Sequence, residues 1–233
     1  NEQQKEKYLP TIATAEIKTA YALTEPSAGS DANSGKTKAT IDTKNNCYLI
    51  NGQKMWITNS GFAEIFIVFA KIEDDEKLSA FIIEKSFGGI TLGEEEKKLG
   101  IKGSSTRQVY FENCPVPMEN LLGKRNDGFK IALNILNSGR IKLSAATIGG
   151  SKFALSKAIK YSIEREQFGK SIGEFTAMQY KIGEMARKIF SAESAVYRTG
   201  RNIDLKEKEL KENKIPENEI KLKGLREYAI ECS

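Results

Sequence analysis

Three stretches of the chain carry side chains able to engage a ligand or a reaction. Residues 21–31 read Tyr-Ala-Leu-Thr-Glu-Pro-Ser-Ala-Gly-Ser-Asp, an apolar strand-like run that breaks into a loop of small residues. Pro26 fixes φ and removes an N–H, while Gly29 permits a backbone conformation closed to other residues. The hydroxyls of Thr24 and Ser30 can donate to whatever approaches that backbone. By composition alone the stretch is a loop leaving a strand. Residues 51–59, Asn-Gly-Gln-Lys-Met-Trp-Ile-Thr-Asn, hold the only tryptophan. Taken singly, Trp56 is a core residue of a strand. The third stretch, 137–168, holds Asn137, Arg140, Arg165, Gln167 and Phe168; by type alone its arginines are solvated charges or a helix C-terminal cation.

The chemistry open to these residues is narrow. The chain has no histidine, which excludes Ser-His-Asp and Cys-His catalysis within it and removes the commonest metal ligand. Cys47, Cys114 and Cys232 lie far apart without paired spacing, against a zinc site or a disulfide framework and in favour of a reducing compartment. No metal site is expected. What remains is carboxylates, hydroxyls, lysines or a borrowed cofactor.

The 233 residues suffice for one large domain or two smaller ones. No apolar run approaches the roughly 18 residues of a membrane helix, and no secretory signal opens the chain, so a soluble globular protein with no transmembrane segment is expected. Lys and Arg number 36 against 31 Asp and Glu, a net charge of +5. The charges are interspersed, which predicts no nucleic-acid footprint but suits an anionic ligand.

The elements that must position these side chains fall into two regimes that meet near residue 125. Four of the five prolines precede it, together with β-branched and aromatic runs; between residues 118 and 215 there is none. Residues 1–10 read as the last turns of a helix stopped at Pro10. Strands are predicted over 17–23, 35–42, 47–51, 54–59, 65–72, 80–84, 90–92 and 108–112. Asn51-Gly52 between two of them signals a hairpin. Beyond it, a long helix over 128–165 is capped by Asn126-Asp127 and interrupted by Gly139, Gly149 and Gly150, where a kink or close packing is expected. A second helix spans 175–202, with Met178, Ile182, Met185, Ile189, Ala192 and Val196 as its core seam. Residues 203–214 read as a solvated helix end or loop, and a third helix follows Pro216 as far as Ile230. The expected class is α+β: an antiparallel β-sandwich or barrel followed by part of an α-helical bundle. The expected domains are 1–11, the tail of a preceding helical domain; 12–124, β-rich; and 125–233, a helical domain. The chain reads as cut at both ends.

Taken together, the motifs resemble the acyl-CoA dehydrogenase family. The first signature is matched by Ala22-Leu23-Thr24-Glu25, Ala28-Gly29-Ser30-Asp31 and Ser34, and the second flavin-contacting strand by residues 51–59. Residues 120–123 with Gly128-Phe129, residues 136–140 and residues 164–169 follow in the family's order. The resemblance implies FAD as cofactor and a reaction that removes hydrogen from Cα and Cβ of a fatty acyl-CoA to give the trans-2-enoyl-CoA. A carboxylate takes the Cα proton and the flavin accepts hydride, then passes electrons to an acceptor, commonly electron-transferring flavoprotein.

Carried over by position, the resemblance implies that Tyr21, Leu23 and Thr24 line the isoalloxazine, that Trp56 and Ile57 pack beside it, and that Thr58 donates near N5. Ser30 would lie where cofactor phosphates and the acyl-CoA chain meet; its other reading is turn stabilisation. Arg165, Gln167 and Phe168 would reach FAD bound by a neighbouring subunit, with Arg165 on the pyrophosphate, which implies a homo-oligomer, dimer or tetramer. Arg165 also suits a helix C-terminus on its own. Asn137 and Arg140 would contact the acyl-CoA, although an arginine on a long helix is often only a solvated charge. Glu25 and Asp31 are expected to fix the loop through side chains that accept from local N–H groups.

One position departs from the family. Some members carry the catalytic glutamate on this long helix, where this chain has Gly139, so no catalytic base is identifiable and one is expected beyond Ser233. Residues 136–140 resemble the very-long-chain branch, without fixing a chain length. An acyl-CoA oxidase or related flavin oxygenase of the same fold, and a non-catalytic acyl-CoA- or FAD-binding module, are the alternatives. The compartment would be cytoplasmic in a bacterium or the mitochondrial matrix in a eukaryote.

Overall fold

The computed structural model describes residues 1–228. The chain forms two compact units, Asn1–Ala132 and a second from Leu133 on.

In the first unit, helix α1 (Glu2–Ala13) is closed by a capping box between Asn1 and Gln4. It does not stop at Pro10, which lies inside it. The helix is held from outside: Gln4 Nε2 donates to the carbonyls of Glu119 and Leu121, and the Tyr8 hydroxyl donates to Glu84 at 2.8 Å. Such anchors outweigh the one backbone bond that a proline removes.

The strands are β1 (Thr19–Ala22), β2 (Lys38–Asp42), β3 (Cys47–Thr58), β4 (Ile65–Ile72), β5 (Ser79–Glu84), β6 (Ile90–Glu95), β7 (Thr106–Pro117) and β8 (Leu121–Leu122). They form one sheet in the order β6-β7-β3-β2-β4-β5-β8, with β1 beside β4. The class is α+β, but the sheet is mixed: β1 and β2 both pair with β4 in parallel. They share one edge of β4 in succession. β1 covers Ile65 to Val68 and β2 takes over at Lys71, so no strand residue faces Phe69 or Ala70 on that edge. At this split the chain makes its excursion through residues 23–37.

The expected hairpin at Asn51-Gly52 is absent, because β3 runs unbroken from Cys47 to Thr58. Asn51 serves a bulge in β7 instead: its Oδ1 accepts from Asn113 N at 2.8 Å, and Asn113 has φ 45°. Gly52 is there for space. A Cβ on it would stand 2.6 Å from Thr37 Oγ1 and 2.8 Å from Thr37 Cα, and its φ is +153°. We expect Gly52→Ala to lower the unfolding free energy by about 2–4 kcal/mol, combining overpacking with backbone strain. Urea titration of the two proteins measures this, and a loss below about 0.5 kcal/mol would contradict the crowding. Pro115 and Pro117 fall within β7, beyond the stretch that β6 covers, where a missing donor costs little.

The main core packs Ala20, Ala22, Ile57, Phe66, Val68 and Phe81 with their neighbours on one face. On the opposite face Tyr21 and Leu23 pack against Phe69, Leu78, Ala80 and Ala132. The period of two in β1 therefore puts its alanines in the core and its tyrosine on the other side.

In the second unit, helix α2 (Gly128–Glu164), which starts in the first, leads to a small hairpin of β9 (Glu166–Gln167) and β10 (Lys170–Ser171). Helices α3 (Thr176–Glu212) and α4 (Glu217–Tyr228) follow. α2 runs through Gly139, Gly149 and Gly150 without a break, and a Cβ at any of them would meet nothing within 4 Å. The expected close packing is not there. Of the two readings of residues 203–214, the helix end holds, since α3 runs on to Glu212. Their charges pair locally, as Lys206 with Glu209, and α4 covers this segment, burying Ile203 and Ile220. The end of the third predicted helix, to Ile230, lies outside the described residues. None of the six seam residues of α3 is fully buried, and Met185 is 38% exposed, so the seam is not a closed core within this chain. No helix among the described residues is long and apolar enough to cross a membrane.

Candidate cofactor site

The first unit brings Tyr21, Leu23, Thr24, Trp56, Ile57 and Thr58 into one neighbourhood. Leaving β1, the chain is fastened to β3 at once: Thr24 O accepts from Met55 N at 2.9 Å. Glu25 and Ala28 then exchange two backbone hydrogen bonds of 3.1 Å, closing a tight turn over Pro26 and Ser27. Ser30 follows and is exposed.

The far end of β3 is pinned as well. Asn59 Nδ2 donates to Thr19 O, and Asn59 N donates to Ser105 O. Between these fixed points β3 has a second bulge, at Met55-Trp56, with one residue more than β7 opposite it. Trp56 has φ 56° there and is 60% exposed. A bulky residue in the left-handed region costs roughly 1–2 kcal/mol, and a large exposed aromatic recovers little of it from packing. Strain held in place by its surroundings marks functional backbone.

Three hydroxyls here are wholly or partly open to solvent, and one phenol is buried. The hydroxyls of Thr24, Ser30 and Thr58 make no hydrogen bond among the described residues. The Tyr21 hydroxyl is buried and unpaired, its ring meeting Phe69 edge-on at 5.2 Å. Burial pushes its phenol up to about 12, so it stays protonated and able to donate. Donors for ring carbonyls, an exposed tryptophan and an open Gly29, whose Cβ would meet nothing within 4 Å, fit a flat heteroaromatic group with a phosphate tail. Ile57 fits differently from expectation. Its side chain is 2% exposed in the main core and its carbonyl accepts from Ser60 Oγ at 2.7 Å, so neither is free to meet a ligand.

The acidic residues of the loop divide. Glu25 is buried, with Oε2 accepting from Lys36 N at 2.5 Å and Oε1 from Thr37 N at 3.1 Å and from Lys54 Nζ at 2.8 Å. Burial raises its pKa, but Lys54 and these donors outweigh that and leave it lowered. Asp31 fixes its turn through the backbone: its carbonyl, not its carboxylate, accepts from Ser34 N and Oγ.

A second support lies behind Asn59. Glu95 accepts from Ser105 Oγ (2.6 Å), Thr106 N (2.9 Å) and Arg107 Nε (2.8 Å), and Ser105 Oγ accepts from Gly61 N. These donors, the Ser105 hydroxyl foremost, draw the Glu95 carboxyl down to about 2 from 4.5. A depressed folded value means that its stabilisation is complete above about pH 4.5 and lost as pH falls toward 2. We therefore expect Glu95→Gln to melt below the unmodified protein at pH 6, with the gap closing by pH 2. Thermal melts across that range test it, and a gap independent of pH would contradict it.

In the second unit Arg140 Nη1 donates to Asn137 Oδ1 at 2.7 Å, one turn apart on α2, and Asn137 is buried. Arg165, just past α2, is exposed. Phe168 and Gly169 form the two-residue turn of the β9–β10 hairpin with φ 56° and 78°, the geometry of a type I′ turn. Phe168 is 93% exposed and meets Phe175 edge-on at 6.2 Å. Gln167 Nε2 donates to Glu166 O.

Sequence reasoning passed over Lys54 and Glu95. The signal for Lys54 was its parity: on β3 it shares a face with buried Ile50, an inward position that a lone lysine rarely takes. Glu95 sits among Glu94, Glu96 and three nearby lysines, and nothing in that run distinguishes it.

Residues 20–114 match the acyl-CoA dehydrogenase middle domain, and residues 126–223 match the acyl-CoA dehydrogenase C-terminal domain. A probable acyl-CoA dehydrogenase of Bacillus subtilis is 47% identical over 233 residues, 100% of this chain and 39% of that protein. The very long-chain specific mitochondrial acyl-CoA dehydrogenase of Rattus norvegicus is 46% identical over 209 residues, 86% of this chain and 32% of the relative. A Bacillus anthracis acyl-CoA dehydrogenase solved in complex with FAD superposes with a TM-score of 0.89 at 47% identity, covering 100% of this chain and 40% of that one. The chain thus spans well under half the length of these relatives. It belongs to the acyl-CoA dehydrogenase family.

Proposed function

We propose that the protein carrying this chain is an FAD-dependent acyl-CoA dehydrogenase that converts a fatty acyl-CoA to the trans-2-enoyl-CoA and passes the electrons to an acceptor such as electron-transferring flavoprotein. The observation that carries the reading is the Thr24 O–Met55 N bond, which ties two segments bearing free hydroxyls and a strained, exposed tryptophan into one wall. FAD, when bound, would supply the hydride acceptor. The chain's own residues bind and orient it. Thr24 and Thr58 donate to the ring's polar edge, Tyr21 and Leu23 back the wall, Trp56 covers the ring, and Ile57 anchors the strand beneath it in the core. Fixed donors aimed at developing charge stabilise it without reorganising. Arg165 pairs with the cofactor pyrophosphate, where a planar cationic fork suits phosphate, and Gln167 and Phe168 complete that contact across a subunit boundary in a homo-oligomer. Ser30, Asn137 and Arg140 meet the acyl-CoA. None of these residues is assigned the Cα proton.

Anaerobic titration of the purified protein tests this reading. The protein is expected to be yellow or to turn yellow with FAD, and a matching acyl-CoA to bleach it. A protein that stays colourless and takes up no FAD contradicts it. Fast peroxide formation without an added acceptor would assign an oxidase instead.

A further inference from the structure

We propose that the buried Lys54–Glu25 pair is a positioning device for the cofactor wall, setting where Thr24 and Trp56 stand relative to one another. The inference rests on the FAD-binding reading above and adds to it two residues that face no ligand. Lys54 is 1% exposed and Glu25 4%. The ammonium donates to Leu23 O (3.1 Å), Glu25 Oε1 (2.8 Å) and Phe69 O (2.6 Å), so all three of its donors are used, on the loop segment leaving β1 and on β4.

Each partner matters for the wall. Phe69 lies where β1 has left β4 and β2 has not yet joined it, so Lys54 supplies a donor at the point where the sheet splits. Leu23 precedes Thr24, whose carbonyl is already held by Met55 N. Glu25 in turn accepts from Lys36 N and Thr37 N, where the chain returns to β2. One ion pair therefore clamps the exit and the re-entry of the loop that carries Ser30. Its lysine stands two residues before Trp56, on the near side of the bulge.

Stability alone does not account for such a pair. Replacing both members of a buried ion pair with uncharged residues of similar volume is often neutral or stabilising. An apolar side chain, however, cannot hold three oxygens at one point. What the pair adds is a register between the loop and β3, and a bound ring system is the thing that would sense it.

The test uses the full natural protein and the double variant Lys54→Met/Glu25→Gln. FAD affinity, the flavin two-electron potential and the thermal midpoint are measured together. We expect a folded variant whose FAD dissociation constant rises about tenfold or more and whose flavin potential moves, while acid-extracted FAD remains chemically unchanged. A folded double variant with affinity within about twofold of the unmodified protein and an unmoved potential overturns the inference and leaves the functional reading standing. An unmodified protein that takes up no FAD overturns both. Should the double variant not fold, Glu25→Asp is read by the same criteria, since it keeps both charges and shortens only the reach of the carboxylate to Lys54, Lys36 N and Thr37 N.

Discussion

Lys54→Met, made alone, is expected to lower the unfolding free energy by about 3–5 kcal/mol, the range for breaking one side of a buried ion pair. Methionine matches the lysine stem in length, so the loss does not come from a cavity. It comes from what the ammonium leaves behind. Glu25 keeps two backbone donors but loses its counter-charge while 4% exposed, and the carbonyls of Leu23 and Phe69 lose a donor at a break in the sheet. Stability also acquires a new dependence on pH. Without Lys54 the Glu25 pKa rises, so the folded state gains by protonating it, and the variant's deficit narrows on acidification. Equilibrium urea unfolding at pH 7 and pH 5 measures both effects. A deficit below about 1 kcal/mol would mean that water or a shifted backbone replaces the ammonium, and the pinned-loop account would fail.

Trp56→Asn is expected to act in the opposite way, on binding and not on folding. Asparagine tolerates the left-handed region better than tryptophan does, so the φ of 56° becomes easier to hold. Little packing is lost from a side chain that is 60% exposed. The unfolding free energy should therefore stay within about 1 kcal/mol of the unmodified value or rise. FAD affinity should fall about thirtyfold, corresponding to the roughly 2 kcal/mol gained when a large aromatic surface is buried against a ligand. Calorimetric binding beside a thermal melt separates the two effects. A variant that is destabilised by several kcal/mol and still binds FAD normally would make Trp56 a core residue, as its residue type alone suggests.

Local pattern was enough for much of the fold and not for the connections. β4 is found at its predicted bounds because it is one nearly continuous apolar run, and α2 ends one residue short of prediction because no proline breaks the stretch it occupies. The Asn51-Gly52 turn was misread because the same dipeptide serves two geometries. Here glycine is required by the close approach of Thr37, and asparagine by the bulge at Asn113. The charged segment 203–212 reads as helix end or loop because its apolar content is sparse; it is helix, with one well-placed Ile203 under α4 and charges paired along it. At the proposed site, residue type alone reads as loop and core, and it is the family resemblance that marks the hydroxyls and Trp56 as ligand-facing. The Lys54 clamp was not, because it depends on a gap between two strands that only the register of β1 and β2 along β4 creates.

The chain's only tryptophan stands at the centre of the proposed wall, so its emission reports on the claim directly. FAD titrated into the chain should quench Trp56 fluorescence in step with flavin uptake, saturating at one flavin per chain. Flavin uptake that leaves the emission unchanged would place the cofactor away from Trp56 and contradict the site.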